Sequence, residues 1–237
     1  NTELEISEIP EETLKNNKYL YITSLSGKSS QIFKPLVKKA KELGSTIATN
    51  PGISQLKSGA TTLADSLEYV DIFIINSSEA KQFMHSLLQN DYIKSTSKEE
   101  CTIKKTQAPE LIQSFTCYED MHFNLSHYFK DILNRGPKIA VVTNGDEGVY
   151  AADKNYLYFC PTLKINVKNT LGAGDAFGSC FAAYIFDGFC IEDALIRGII
   201  NACSVIGHED AKTGQLTKNE FEEKYKKTKI KVEKINY

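Results

Sequence analysis

Thr170-Leu171-Gly172-Ala173-Gly174-Asp175 is the run of this sequence whose residue types and spacing can do chemistry. It lies between a β-like segment ending near Val167 and an apolar helix that opens on Ala176-Phe177-Gly178. Two glycines at a helix mouth let the backbone bend tightly and turn unpaired N–H groups outward. Those donors, with the helix dipole, favour an anion such as a phosphoryl group. Asp175 gains from the same dipole, so one reading makes it only a favourable N-terminal acid. The other makes it the carboxylate that takes a hydroxyl proton while the N–H groups neutralise developing charge, as phosphoryl transfer requires. No GxxxxGK[ST] is present, which excludes a P-loop. Gly178 falls one place too far for GxGxxG, which removes the main support for a dinucleotide-dependent oxidoreductase.

Such a loop needs a sheet beneath it. Strand-like runs at residues 19–23, 45–49 and 71–75 alternate with helix-like ones at 29–43, ended by Gly44, and more weakly at 55–68. This βαβ rhythm predicts an α/β fold, a mainly parallel central sheet covered on both faces by helices. Residues 77–89 read as a helix with Asn76 as N-cap and Glu79 at the third helical position, a capping box. From Asn90 to about Glu110 the chain turns polar and aperiodic, which predicts a surface insertion. A helix over 124–133 is stopped by Arg135-Gly136-Pro137, and a buried strand follows at 138–143. Asn144-Gly145-Asp146-Glu147-Gly148 then turns the chain into 149–152 and 156–159, expected as antiparallel strands added to the sheet. Helices are predicted over 173–186, 192–206 and 218–226, with a last strand-like piece at 229–233. The whole of residues 1–237 is expected to form one domain.

A net charge of −2 offers no field to draw in nucleic acid or an anionic membrane. No apolar run approaches the roughly 20 residues of a membrane span, and the first residues lack signal-peptide features, so a cytoplasmic protein is expected. The six cysteines form no CxxC pair and have no histidine at metal-ligand spacing, which predicts reduced, mostly buried thiols and argues against zinc.

Three blocks, in order, resemble motifs of the ribokinase-like (PfkB) family of sugar and nucleoside kinases. Asn76-Ser77-Ser78-Glu79 resembles its NxxE motif, whose acid organises the Mg²⁺ hydration shell. Val141-Val142-Thr143-Asn144-Gly145-Asp146-Glu147-Gly148 resembles its TxGxxG nucleotide loop, and Asn169 to Asp175 its DTxGAGD signature. The resemblance implies the three-layer α/β/α ribokinase-like fold and ATP-dependent transfer of the γ-phosphoryl group to a primary hydroxyl of a small-molecule sugar or nucleoside, with Mg²⁺. It makes Asp175 the base and the amides of Gly172, Ala173 and Gly174 the anion hole. Thr143, Gly145, Gly148 and Thr170 would border the nucleotide, while Asn76 and Glu79 would organise the metal, in addition to or instead of capping their helix. Asn201 is either a nucleotide contact or a helix residue with a satisfied amide; Ile199 stands where the family often has a polar residue facing the base. Asn50-Pro51-Gly52 falls in a family active-site loop and also suits an ordinary turn, and His208 is expected at the surface.

Asn169 replaces the usual Asp of a monovalent-cation site, so only weak K⁺ dependence is expected. Family members also carry roughly half as much chain again before the equivalent of residues 19–23, including a glycine-rich sugar-binding segment and a β-sheet lid. The sequence here lacks a counterpart, so it leaves open the acceptor and any lid-mediated homodimer. A catalytically silent nucleotide-binding relative is the alternative; retention of both Asp175 and Glu79 argues against it.

Overall fold

Alternate residues of the central strands enter two different cores, and this alternation sets the layers of the molecule. The computed structural model describes residues 3–57, 59–92, 116–118, 121–211 and 213–236. In chain order the strands are β1 (Tyr19–Ile22), β2 (Thr46–Thr49), β3 (Ile72–Asn76), β4 (Thr116–Tyr118), β5 (Met121–Phe123), β6 (Ile139–Thr143), β7 (Val149–Ala152), β8 (Tyr156–Cys160) and β9 (Glu233–Asn236). The α-helices are α1 (Glu11–Asn16), α2 (Phe33–Glu42), α3 (Ile53–Lys57), α4 (Ala60–Ser66), α5 (Ser77–Gln89), α6 (Leu125–Arg135), α7 (Ala173–Phe186), α8 (Ile191–Ile206) and α9 (Lys218–Lys227).

The main sheet runs β1-β2-β3-β6-β7-β8-β9, with β4 and β5 forming a separate antiparallel pair. β1, β2, β3 and β6 are parallel, joined by helical crossovers, and β7, β8 and β9 add on in antiparallel fashion. On one face Ile47, Phe73, Ile75, Val142 and Tyr150 pack against Val37, Leu63, Phe83 and Phe129 of α2, α4, α5 and α6. On the other, Ala48, Ile72, Ile74, Val141 and Ala151 pack against Phe177 and Phe181 of α7 and Leu195 and Ile199 of α8. Each large side chain so buried contributes about 1.5–3 kcal/mol. This is the three-layer arrangement expected from the βαβ rhythm. Asp71 pins the opposite end of the sheet: it takes Lys41 Nζ at 2.6 Å, Ile47 N at 2.9 Å and Lys138 Nζ at 3.0 Å. Burial pushes its carboxyl pKa up, but those donors outweigh burial and hold it below the usual range.

Several elements differ from expectation for local reasons. The helix expected at 29–43 opens as a 3-10 helix, Gly27–Ile32, and becomes α-helical only at Phe33. The weak pattern at 55–68 is two helices, with Gly59 as the N-cap of the second. The last strand is Glu233–Asn236 rather than 229–233. Its register against β8 is set by Ile235, which packs on the first core, and by Lys234, which lies 4.1 Å from the Tyr156 ring centroid. No strand ends at Val167, because residues 161–169 join no ladder. Most of the expected insertion, residues 93–110, lies outside the described residues.

Cys160 and Cys203 are buried, Cys180 is half-buried and Cys190 exposed, all as free thiols; burial pushes Cys160 and Cys180 up to about 12. Among the described residues no helix is long and apolar enough to cross a membrane.

Candidate active site

The parallel strands deliver their C-terminal ends to one side of the sheet, where α/β proteins bind ligands. In the β3/β6 register the last residues, Asn76 and Thr143, are partners, so two motifs distant in sequence stand side by side. Asn76 caps α5: its Oδ1 accepts from Glu79 N at 2.8 Å, and Glu79 Oε2 accepts from Asn76 N at 2.8 Å. The capping box is therefore present. Burial raises the Glu79 pKa, outweighing the hydrogen bonds from Asn76, so the carboxylate is poised to gain from a nearby cation.

After Thr143 the chain makes a 3-10 turn, Gly145–Glu147. Asn144 holds it closed, its N–H donating to Gly148 O at 2.9 Å and its Nδ2 to Glu147 Oε2 at 2.5 Å. Gly145 and Gly148 take φ of +59° and +125°, and at Gly148 a Cβ would lie 2.5 Å from Cys160 O. Only glycine fits that second position.

The glycine-rich run is anchored to the end of α8 and the loop after it. Lys168 N and Asn169 N donate to Ile206 O at 2.9 and 3.3 Å, and Asn169 Nδ2 donates to Glu209 O at 2.8 Å. Asn169 Oδ1 accepts from Leu171 N at 2.9 Å, so both ends of this amide are engaged within the protein. Gly172 then takes φ +81° as the N-cap of α7. The first i→i−4 bond of α7 is Ala176 N to Gly172 O at 2.9 Å, which leaves the amides of Gly174 and Asp175 without a helical partner. Asp175 is exposed in this first turn, and its carboxylate makes no hydrogen bond or ion pair among the described residues.

Beside this turn opens a cleft of about 540 Å³, within the usual range for small-molecule sites. Thr143, Gly145, Thr170, Ala173 and Gly174, all singled out in the sequence, line it. Gly148, Gly172, Asn169 and Asp175 adjoin lining residues without lining the cleft, and Asn76 reaches its margin through Thr143. Asn201 does not line it: its Nδ2 donates to Ala176 O at 2.8 Å, tying α8 to α7. Ile199, two residues earlier, does. Asn50-Pro51-Gly52 ties the turn after β2 to its neighbours, Asn50 Nδ2 donating to Ile74 O of β3 at 3.1 Å and Gly52 N to Gln55 Oε1 of α3 at 3.0 Å. His208 is half-buried, with Nδ1 2.9 Å from Ser204 O; since that partner is an acceptor, Nδ1 carries the proton.

Sequence reasoning missed the apolar wall: Leu163, Ile165, Val167, Cys203 and Ile206. The signal was present in the alternation Leu163-Ile165-Val167, taken as a strand. An extended segment roofing a cleft shows the same period of two.

The comparisons with known proteins agree with this fold. The chain is 30% identical over 79 residues to a deoxyribokinase of Salmonella typhi, an alignment covering 33% of this chain and 26% of that protein. It superposes on the ribokinase of Thermotoga maritima with a TM-score of 0.66 at 20% identity, covering 96% of this chain and 62% of that one. An E. coli structure assigned as ribokinase II, solved with ATP and Mg²⁺, gives a TM-score of 0.67 at 19% identity, covering 94% and 63%. The chain thus spans about three fifths of the length of these solved structures. With the family described as pfkB family carbohydrate kinase matching residues 1–218, this chain belongs to that family.

Proposed function

We propose that this chain is the nucleotide-binding and base-bearing part of an ATP-dependent kinase that phosphorylates a primary hydroxyl of a sugar or nucleoside. The observation that carries this is the exposed Asp175 carboxylate in the first turn of α7, beside helix-mouth amides and next to a cleft of nucleotide size. Asp175 accepts the proton of the acceptor hydroxyl as its oxygen bonds to the γ-phosphorus and the bond to ADP breaks. The amides around Gly172, Ala173 and Gly174 steady charge on the transferring group. Thr143, Gly145, Gly148 and Thr170 border the nucleotide, whose base suits the apolar wall of Leu163, Ile165 and Ile199. Asn201 acts by holding α8 against α7.

Bound Mg²⁺ neutralises phosphate charge. Such an ion, held largely by water and substrate phosphates, would need only one protein carboxylate, acting through water, to organise it. Glu79 in the first turn of α5, with Asn76 at the end of β3, fits that requirement. Among the described residues no group of three or more His, Cys, Asp or Glu gathers as a metal cage. Residues 1–237 act as one cytoplasmic domain, taking small-molecule partners and neither nucleic acid nor membrane. Residues that select the acceptor, and those of any homodimer, belong to the part of the fold that this chain does not span.

The test is ADP formation by the full-length protein with ribose, 2-deoxyribose, fructose and adenosine. Acceptor-dependent ADP release is expected with at least one of them; its absence with all, in folded protein, sinks the reading.

Two further outcomes separate roles that overlap. Glu79→Gln keeps an oxygen to accept from Asn76 N and so preserves the cap, but it removes the charge. The Mg²⁺ concentration for half-maximal rate should rise about 10-fold with Tm almost unchanged; a normal Mg²⁺ dependence would leave Glu79 as a cap alone. Asn169 carries no charge, and its carbonyl already accepts from Leu171 N while its amide donates to Glu209 O, so it offers a monovalent cation less than an aspartate would. Replacing K⁺ by a bulky organic cation at constant ionic strength should change kcat by less than about twofold, and a strict K⁺ requirement would contradict this account of Asn169.

A further inference from the structure

Tyr21 carries a buried hydroxyl that makes no hydrogen bond among the described residues. Buried polar atoms are nearly always paired, so such an orphan needs a reason. Tyr21 lies in β1, opposite the small Ala48 of β2, and its ring packs among the residues shared by the sheet, α7 and α8. Its hydroxyl abuts Gly178 so closely that a Cβ there would overlap it. Gly178 is three residues beyond Asp175, on the same face of α7, one turn inward. Burial first, and then the Asp175 charge, push the phenol pKa up, so the hydroxyl keeps its proton and remains a donor. An unpaired donor and the unpaired Asp175 carboxylate therefore share one face of α7, at the end of β1.

We propose that Tyr21 is a positioning residue: its hydroxyl donates to one oxygen of the Asp175 carboxylate when the site is occupied, leaving the other oxygen turned to the acceptor hydroxyl. This rests on Asp175 being the base. A base oriented by a third group is the arrangement by which hydrolases and transferases hold a proton acceptor in place. Gly178 has no side chain because the phenol tip must reach this point. The cost of leaving the hydroxyl unpaired in the free protein is what the occupied site recovers.

The experiment compares Tyr21→Phe with wild type in the full-length protein, using ATP and whichever of ribose, 2-deoxyribose, fructose or adenosine the wild type phosphorylates fastest. Phenylalanine removes the oxygen and nothing else. The expected result is a kcat lower by about 10- to 100-fold, the cost of a misplaced reacting group, with KM for ATP within about twofold and Tm equal to or above wild type. An unchanged kcat, or a loss of kcat that merely tracks a fall in Tm, overturns the proposal. Asp175→Asn measured alongside separates the two assignments. If it is inactive while Tyr21→Phe turns over normally, only the role of Tyr21 fails. If it is active, or if the wild type phosphorylates none of the acceptors, the assignment of the base fails and the role of Tyr21 with it.

Discussion

Asp175→Ala in the full-length protein is expected to abolish measurable phosphoryl transfer without unfolding the chain. A positioned proton acceptor contributes on the order of 10²–10⁴ in rate, and no other carboxylate is placed on the first turn of α7 to take over. The structural cost is small because the side chain is exposed and makes no hydrogen bond or ion pair among the described residues. What is lost is an acid at a helix N-terminus, about 0.3–1 kcal/mol, or roughly 1–4 °C in Tm for a chain of this size. Coupled-assay kinetics and calorimetry on the same preparation check both halves. A folded and fully active variant would show that Asp175 serves only the helix dipole.

Gly148→Ala should produce the largest loss of stability among the motif residues. Its φ of +125° belongs to a region that L-residues rarely enter, and the new Cβ would press on Cys160 O at 2.5 Å, Phe159 Cε2 at 3.0 Å and Pro161 Cα at 3.1 Å. Backbone strain and the steric clash add to roughly 2–5 kcal/mol. The turn cannot relieve this without moving, because Gly148 O is the acceptor that holds Asn144 N. ATP affinity should therefore fall along with Tm, since Thr143 and Gly145 line the cleft from the same turn. Gly145→Ala is the control: its φ is +59° with open space around a Cβ, so the cost is limited to about 1–2 kcal/mol for a left-handed residue. Equal effects of the two substitutions, read by thermal unfolding and equilibrium nucleotide binding, would contradict this account.

Features settled within one or two helical turns were legible in the sequence. The Asn76/Glu79 capping box, the helix opening after Gly172, the stop at Gly136 and the placing of β6 and β7 about the Asn144–Gly148 turn all depend on a few adjacent residues. Their hydrogen bonds close locally, so residue type and spacing determine them. The three-layer architecture was legible as well, because parallel strands need crossovers and each face of the sheet needs cover.

What could not be read from the sequence depends on which distant groups meet. The apolar wall Leu163-Ile165-Val167 has the period of a strand, and only the approach of α8 makes it the roof of a cleft. Asn201 offers an amide that could serve a ligand or a neighbour, and the packing of α7 assigns it to Ala176 O. The last strand slides to Glu233–Asn236 because Ile235 finds the core. Asn169 was legible as an uncharged departure from the family pattern; that its amide closes on Glu209 O required the loop after α8. The chemistry of the glycine-rich loop and its acid was written in neighbouring residues. The cleft beside it, and the orphaned Tyr21 hydroxyl behind it, arise where separate elements pack, since burial is a property of the assembled chain.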